Sequence, residues 1–116
     1  MTLTCKPVSN DVSVAPQLGP EAMAEAAAAG FRSVVNNRPD MEGGPSQPSS
    51  EAMQRAAEAA GLAYAFLPVQ SSYQSPAEIA RMHQLLQQLP KPVLGFCRSG
   101  TRTANLFRAA QALGTG

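Results

Sequence analysis

The chain has 116 residues, 44% of them hydrophobic, and nine Lys and Arg against eight Asp and Glu leave a formal charge of +1. That length fits one domain, residues 1–116, able to bury a core without staples, and the near-neutral balance offers no global field for nucleic acid or an anionic membrane. Two cysteines, Cys5 and Cys97, allow at most one bridge, and the opening MTLTCKPVSNDVSVAPQ has no basic stretch leading into an apolar run. The expectation is therefore a cytoplasmic protein without leader or spanning segment, in whose reducing surroundings a reactive thiol persists.

In chain order, DVSVA (11–15) alternates and predicts a short edge strand. GPEAMAEAAAAG (19–30) predicts a helix with Pro20 at its start and Gly30 at its stop, and FRSVVNN (31–37) a strand. The Pro, Gly and Ser of RPDMEGGPSQPSS (38–50) mark a long loop that closes on Ser49 or Ser50 as cap of a helix over 51–61. LAYAFLPV (62–69) is an apolar strand. In SSYQSPAEIARMHQLLQQLP (71–90), Ser75 followed by Pro76 and Glu78 spells a capping box, and Ile79, Met82, Leu85, Leu86 and Leu89 repeat at helical spacing. PVLGFC (92–97) is a strand and TRTANLFRAAQALG (101–114) a last helix, stopped by Gly114. Alternation of this kind predicts an α/β fold, with a mostly parallel sheet of four to five strands and helices on both faces.

In such folds ligands bind at the carboxyl ends of the strands, and Cys97 stands at one, followed at once by RSGTRT and a helix. Backbone N–H groups of residues 98–102 can turn inward around an anion, and the helix N-terminus adds about half a positive charge. Gly100 permits a conformation that side chains oppose, while Arg102 can offer a bidentate fork. A thiol at the base of this cradle falls from about 8.5 into the range of roughly 3.5 to 7.5. A cysteine at a strand end is otherwise a small core residue; here strand, Cys, Ser, Gly, Thr, Arg and helix stand in the order that makes an anion site.

CRSGTRTANL is similar to the active loop of rhodanese-type sulfurtransferases and to that of cysteine-dependent phosphatases. Over residues 13–107 the chain resembles the beta-lactamase-hydrolase-like phosphatase domain family, also catalogued as sulfur transferases. SVAPQL, GFRSVVNNRPD, QPSS, AAGLAY, LPV and the Cys97 loop carry the resemblance. It implies a fold like that of dual-specificity cysteine phosphatases, with a central sheet and helices packed around it.

The residues depart from the phosphatase pattern in three places. Phe96 stands where the family pattern has His before Cys, four residues rather than five separate Cys97 from Arg102, and LPVQSS puts Ser71 where an acid is usual. Without a proton donor an alkoxide leaving group loses about 10² to 10⁴ in rate, whereas sulfite or a thiolate leaves as an anion. The balance of these departures favours sulfane-sulfur transfer through a Cys97 persulfide, from a small anionic donor to a thiol acceptor. A phosphatase working on a phosphate ester through a cysteinyl phosphate is the alternative, and a non-catalytic anion-binding or redox-sensing module the second. No cofactor is called for, and one His with two Cys makes no tetrahedral zinc site without carboxylates.

In these readings Cys97, Arg102 and Asp40 are the catalytic candidates, and Arg98, Ser99, Gly100, Thr101, Thr103 and Arg38 the anion-binding ones. Asp40 is a possible acid, against the plainer reading of a loop carboxylate that pairs with Arg38 or caps a turn. Arg38 is a second clamp or the ion-pair partner of Asp40 or Glu42, and Asn36 and Asn37 fix loops through their amides. His83 is expected half exposed on its helix, Tyr73 at the mouth of the site or packed on its loop, and Cys5 in a mobile terminal segment as a surface or resolving thiol.

Overall fold

A computed structural model describes residues 3–113. It contains β1 (Lys6–Pro7), β2 (Val12–Ala15), α1 (Ala22–Ala28), β3 (Ser33–Asn36), α2 (Ser50–Ala59), β4 (Ala63–Phe66), α3 (Pro76–Gln88), β5 (Val93–Phe96) and α4 (Thr101–Leu113). Gly114, expected to stop the last helix, lies outside the described residues.

The five strands run β1-β2-β5-β3-β4, parallel except for β1, so the α/β sheet with helices on both faces is as expected. On one face Met23, Ala26, Met53 and Ala57 of α1 and α2 pack on Ala15, Val34, Leu94 and Phe96; on the other Met82, Leu106 and Ala110 of α3 and α4 pack on Val12, Val35 and Val93. Two neighbours and two covered faces explain why β5 is wholly buried and reads as a continuous apolar run.

The sequence places DVSVA at the sheet edge. It is instead interior, because the two-residue β1 pairs antiparallel outside it, Lys6 opposite Val14 and Pro7 opposite Ser13. A pair so short carries no periodicity to read, and Pro7 is tolerated there because β1 is the edge. The segment after Cys5 is thus tied into the sheet rather than mobile.

α1 begins at Ala22 behind an N-cap Glu21, so Pro20 stands just before the cap and not on the first helical position; the other described helix ends follow their sequence signals. Gly30 has φ 102°, and Phe31 N–H donates to Ala26 O at 3.1 Å, a Schellman closure of α1. Ser49 rather than Ser50 caps α2, accepting from Ala52 N–H at 3.1 Å. Both bonds of the Ser75 and Glu78 capping box are made at the start of α3.

Candidate active site

β2, β3 and β5 end at one edge of the sheet, and the segments leaving them are stitched together there. Asn37 N–H donates to Phe96 O at 2.9 Å, Gln17 N–H to Arg98 O at 3.1 Å and Cys97 N–H to Ala15 O at 3.4 Å. The loop 97–101 is held from both sides before α4 begins. Gly100 sits at φ 91°, the left-handed conformation expected of it, and this turns its N–H onto Cys97 Sγ at 3.1 Å.

Cys97 is fully buried, and burial, the largest single influence, pushes its thiol pKa up. Hydrogen bonding by the Thr103 hydroxyl, then by the N–H groups of Thr103, Gly100 and Ser99, outweighs it and leaves the thiol below its ordinary value. Of these donors Gly100 N–H has regular geometry. Thr103 Oγ1 is buried and makes no regular hydrogen bond elsewhere, so its effect on the sulfur comes through a looser contact. Thr103, expected among the anion-binding groups, is wholly buried and lends hydrogen bonding to the Cys97 thiol.

Arg102 lies on the first turn of α4 and is 7% exposed. Its fork was expected to stand open over the cradle. In the structure Glu42 takes it: Nη1 donates to Glu42 Oε2 and Nη2 to Glu42 Oε1, both at 3.0 Å. Nη1 also donates to Val69 O at 3.0 Å, which anchors the guanidinium to the chain beyond β4. The Arg102 hydrogen bonds are the main reason why the Glu42 carboxyl lies below the usual range; partial burial opposes them, and Arg38 assists.

Arg38 pairs with Glu42, one of its two expected partners, through Nε to Oε1 at 2.9 Å. Its Nη1 donates to Gln17 Oε1 at 3.0 Å. Asp40 does not pair with Arg38; its Oδ1 accepts the Ser50 N–H at 2.8 Å, at the start of α2. The amide readings of Asn36 and Asn37 hold, since Asn36 Oδ1 accepts from Arg38 N–H and Asn37 Nδ2 donates to Leu67 O, each at 2.9 Å. Tyr64 Oη joins Asn36 Nδ2 at 3.0 Å to Ser50 Oγ at 2.8 Å, so the long loop is anchored at both ends on β3, β4 and α2.

Arg38, Glu42, Gly43, Ser71, Arg98 and Arg102 line an open cavity of about 610 Å³ over this edge. Arg98, Ser99 and Thr101 are exposed, and among the described residues Arg98 makes no ion pair. Tyr73 is 63% exposed rather than packed. His83, half-buried as expected, borders a groove with Asp11, Val12 and Lys91 at the opposite end of β5, away from Cys97. Cys5 is exposed and borders another groove beside Ser99, Gly100 and Thr101.

Sequence reasoning missed the meeting of Glu42 with Arg102, the part of Gln17 and the Tyr64 bridge. A Glu two residues beyond the Asp40 already under consideration, on a loop leaving the same edge, was the available signal.

Comparison with known proteins bears on the family and the fold. Residues 4–114 match the model of the phosphatase-like domain of beta-lactamase hydrolase-like proteins. A beta-lactamase hydrolase-like protein of Agrobacterium fabrum is 38% identical over 86 residues, 74% of this chain and 20% of the relative. The chain thus spans about a fifth of the length of such curated relatives. A provisionally assigned phosphatase of Neisseria meningitidis superposes with a TM-score of 0.81 at 28% identity, over 94% of this chain and 87% of its own. TpbA of P. aeruginosa, in complex with phosphotyrosine, shares the fold at 16% identity and a TM-score of 0.63, over 98% of this chain and 75% of its own.

Proposed function

The chain belongs to the family of phosphatase-like domains of beta-lactamase hydrolase-like proteins, and from that premise we propose that it is a cysteine-dependent phosphatase acting on phosphate monoesters. The observation that carries the reading is the bond from Gly100 N–H to Cys97 Sγ at the N-terminus of α4. It puts a thiol of lowered pKa where backbone donors and a helix terminus favour negative charge.

In this reading Cys97 attacks phosphorus, the ester oxygen leaves with the bonding pair, and a phosphocysteine forms. Water then attacks phosphorus, releasing inorganic phosphate and the thiolate. Arg102 meets the phosphoryl oxygens through its Nε edge, the Nε N–H having no partner among the described residues, the N–H groups of Ser99 and Thr101 add to this while Gly100 N–H stays on the sulfur, and Arg98 and Arg38 supply positive charge at the rim. Asp40 is given an anchoring task, because its carboxylate already holds the start of α2. Esters whose alcohol departs as a stabilised anion, such as aryl phosphates and phosphotyrosine, suit a site with Ser71 where an acid is usual.

Hydrolysis of p-nitrophenyl phosphate and of a phosphotyrosine peptide tests the reading. Release of phosphate that Cys97→Ser abolishes is the expected result. Sulfur transfer is the second reading, favoured by Phe96 before the cysteine and by the four-residue spacing to Arg102. Thiosulfate assayed with the same preparation separates the two, through a persulfide on Cys97 in place of phosphate release.

A further inference from the structure

Beside the catalytic loop, α4 and the edge strand β1 enclose a groove of about 350 Å³. From α4 it takes Thr101, Ala104, Asn105 and Arg108, the single helical face made by positions i, i+3, i+4 and i+7. Lys6 comes from β1, and Val8 and Val14 add an apolar lining. We infer that this groove is a subsite for a second oxyanion carried by the substrate, which makes the substrates phosphotyrosyl peptides with a carboxylate or a second phosphate close to the phosphorylated residue. The inference rests on the phosphatase reading of Cys97 and names the substrate class for it.

The charge of the groove has one sign. Lys6 and Arg108 are exposed, neither makes an ion pair among the described residues, and none of the residues lining the groove is acidic. Arg108 Nη1 donates to Asn105 Oδ1 at 3.0 Å, which holds the guanidinium on the groove face of α4 and leaves its other N–H groups for a ligand. Glu21 and Glu25 border a different groove, on the α1 side of Thr4 and Pro16. The whole chain has a formal charge of only +1, yet Lys6, Arg38, Arg98, Arg102 and Arg108 line this groove and the cavity over Cys97 with Glu42 as the one carboxylate among the lining residues. The positive potential is local, and it extends past the cradle towards β1.

The groove adjoins the mouth of the site. Ser99, Thr101 and Asn105 also line a smaller cavity of about 220 Å³ together with Ser71, Arg98 and Arg102, so these three residues form a wall common to both. α4 starts at the cradle, and from Thr101 to Arg108 it runs about 10 Å, roughly the span of three extended residues. A peptide whose phosphotyrosine enters over Arg102 brings a side chain two or three residues away to Lys6 and Arg108. A small aryl phosphate reaches the cradle alone. Exposed charge pairs contribute little singly, so the two cations set a preference among substrates rather than a requirement.

Three phosphotyrosine peptides test this on the whole chain: one with alanines at the second and third positions on either side of the phosphotyrosine, one with glutamates there and one with phosphoserines there. Hydrolysis at the phosphotyrosine is followed by the rise of tyrosine fluorescence. Wild type is expected to favour the glutamate peptide over the alanine peptide about 5-fold in kcat/KM, and the phosphoserine peptide by more, chiefly through KM. Lys6→Gln combined with Arg108→Gln should bring both ratios close to one. A preference for one of the two anionic peptides alone supports the inference and tells which oxyanion the groove takes. Equal rates on all three in wild type, or a preference that survives in the double variant, overturns the inference and leaves the phosphatase reading standing; hydrolysis of none of them removes both. Raising the salt from about 0.05 to 0.5 M, a test on wild type that does not depend on how the variant folds, should lower the preference, and a preference insensitive to salt overturns the inference.

Discussion

A Cβ on Gly95 would stand 2.6 Å from Thr103 Cγ2. The middle of β5 and the first turn of α4 approach this closely only because residue 95 has no side chain. The approach buries Thr103 completely and brings its hydroxyl to bear on Cys97, two residues further along the strand. Gly95→Ala is therefore expected to push α4 outward, cost about 1 to 3 kcal/mol through overpacking, and raise the Cys97 pKa. Chemical denaturation and the pH dependence of iodoacetamide labelling measure the two effects. Thr103→Val, which keeps the volume and removes the hydroxyl, should raise the pKa with less loss of stability.

The thiol makes its own pH prediction. The folded-state pKa of Cys97 is lowered, so its ionisation favours the folded chain: that contribution is fully present above the unfolded value of about 8.5 and is lost as pH falls through the folded value. Alkylation should titrate below about 8.5 in the folded protein, and at the ordinary value in denaturant. Equal values in the two states would mean that the Gly100 and Thr103 donors do not favour the thiolate.

Glu42 makes the corresponding prediction at acid pH. Its carboxyl is lowered chiefly by Arg102, so the stability it adds is present above the unfolded value of about 4.3 and is lost as pH falls through the folded value. Glu42→Gln should flatten the loss of stability below about pH 4.3. Unfolding midpoints of both proteins across pH 3 to 6 check this.

The parts of the site legible in the sequence were those written locally. Cys97 at a strand end, Gly100 in the turn after it and the capping box from Ser75 to Glu78 each follow from neighbours within a few positions. The pairing of Glu42 with Arg102 joins residues sixty positions apart, and no local pattern encodes it. Burial of Thr103 depends in the same way on a glycine in another element. The strand β1 has two residues and therefore no period, which is why DVSVA reads as an edge. Ser71 in the place of an acid is plain in the sequence, but it bears on which leaving group is favoured and not on which anion enters; the preference for sulfur over phosphate outran it.

Arg102→Lys keeps a positive charge and loses the fork. With Glu42 and Val69 O both bound through the guanidinium, lysine can reproduce only part of the contacts. The expected result is a fall in kcat/KM for aryl phosphates of about 10-fold or more, with Arg98→Lys costing less because Arg98 is exposed at the rim. Steady-state kinetics on the two variants compare them, and a larger loss from Arg98→Lys would reassign the clamp.

Asp40 separates anchoring from catalysis. Asp40→Ala removes the acceptor of the Ser50 N–H and should cost about 1 kcal/mol of stability, as loss of a helix cap does. Asp40→Asn keeps an acceptor oxygen and should leave stability and p-nitrophenyl phosphate turnover near wild type. Loss of the basic limb of the pH profile in Asp40→Asn would make Asp40 the acid instead.

The most direct measurement is the mass of the Cys97 peptide after rapid acid quench during turnover of an aryl phosphate. The account predicts one added phosphoryl group on Cys97, absent from Cys97→Ser and accumulating when attack by water is the slow step. Phosphate release without modification of Cys97, or a persulfide on Cys97 after thiosulfate with no turnover of phosphate esters, would contradict it.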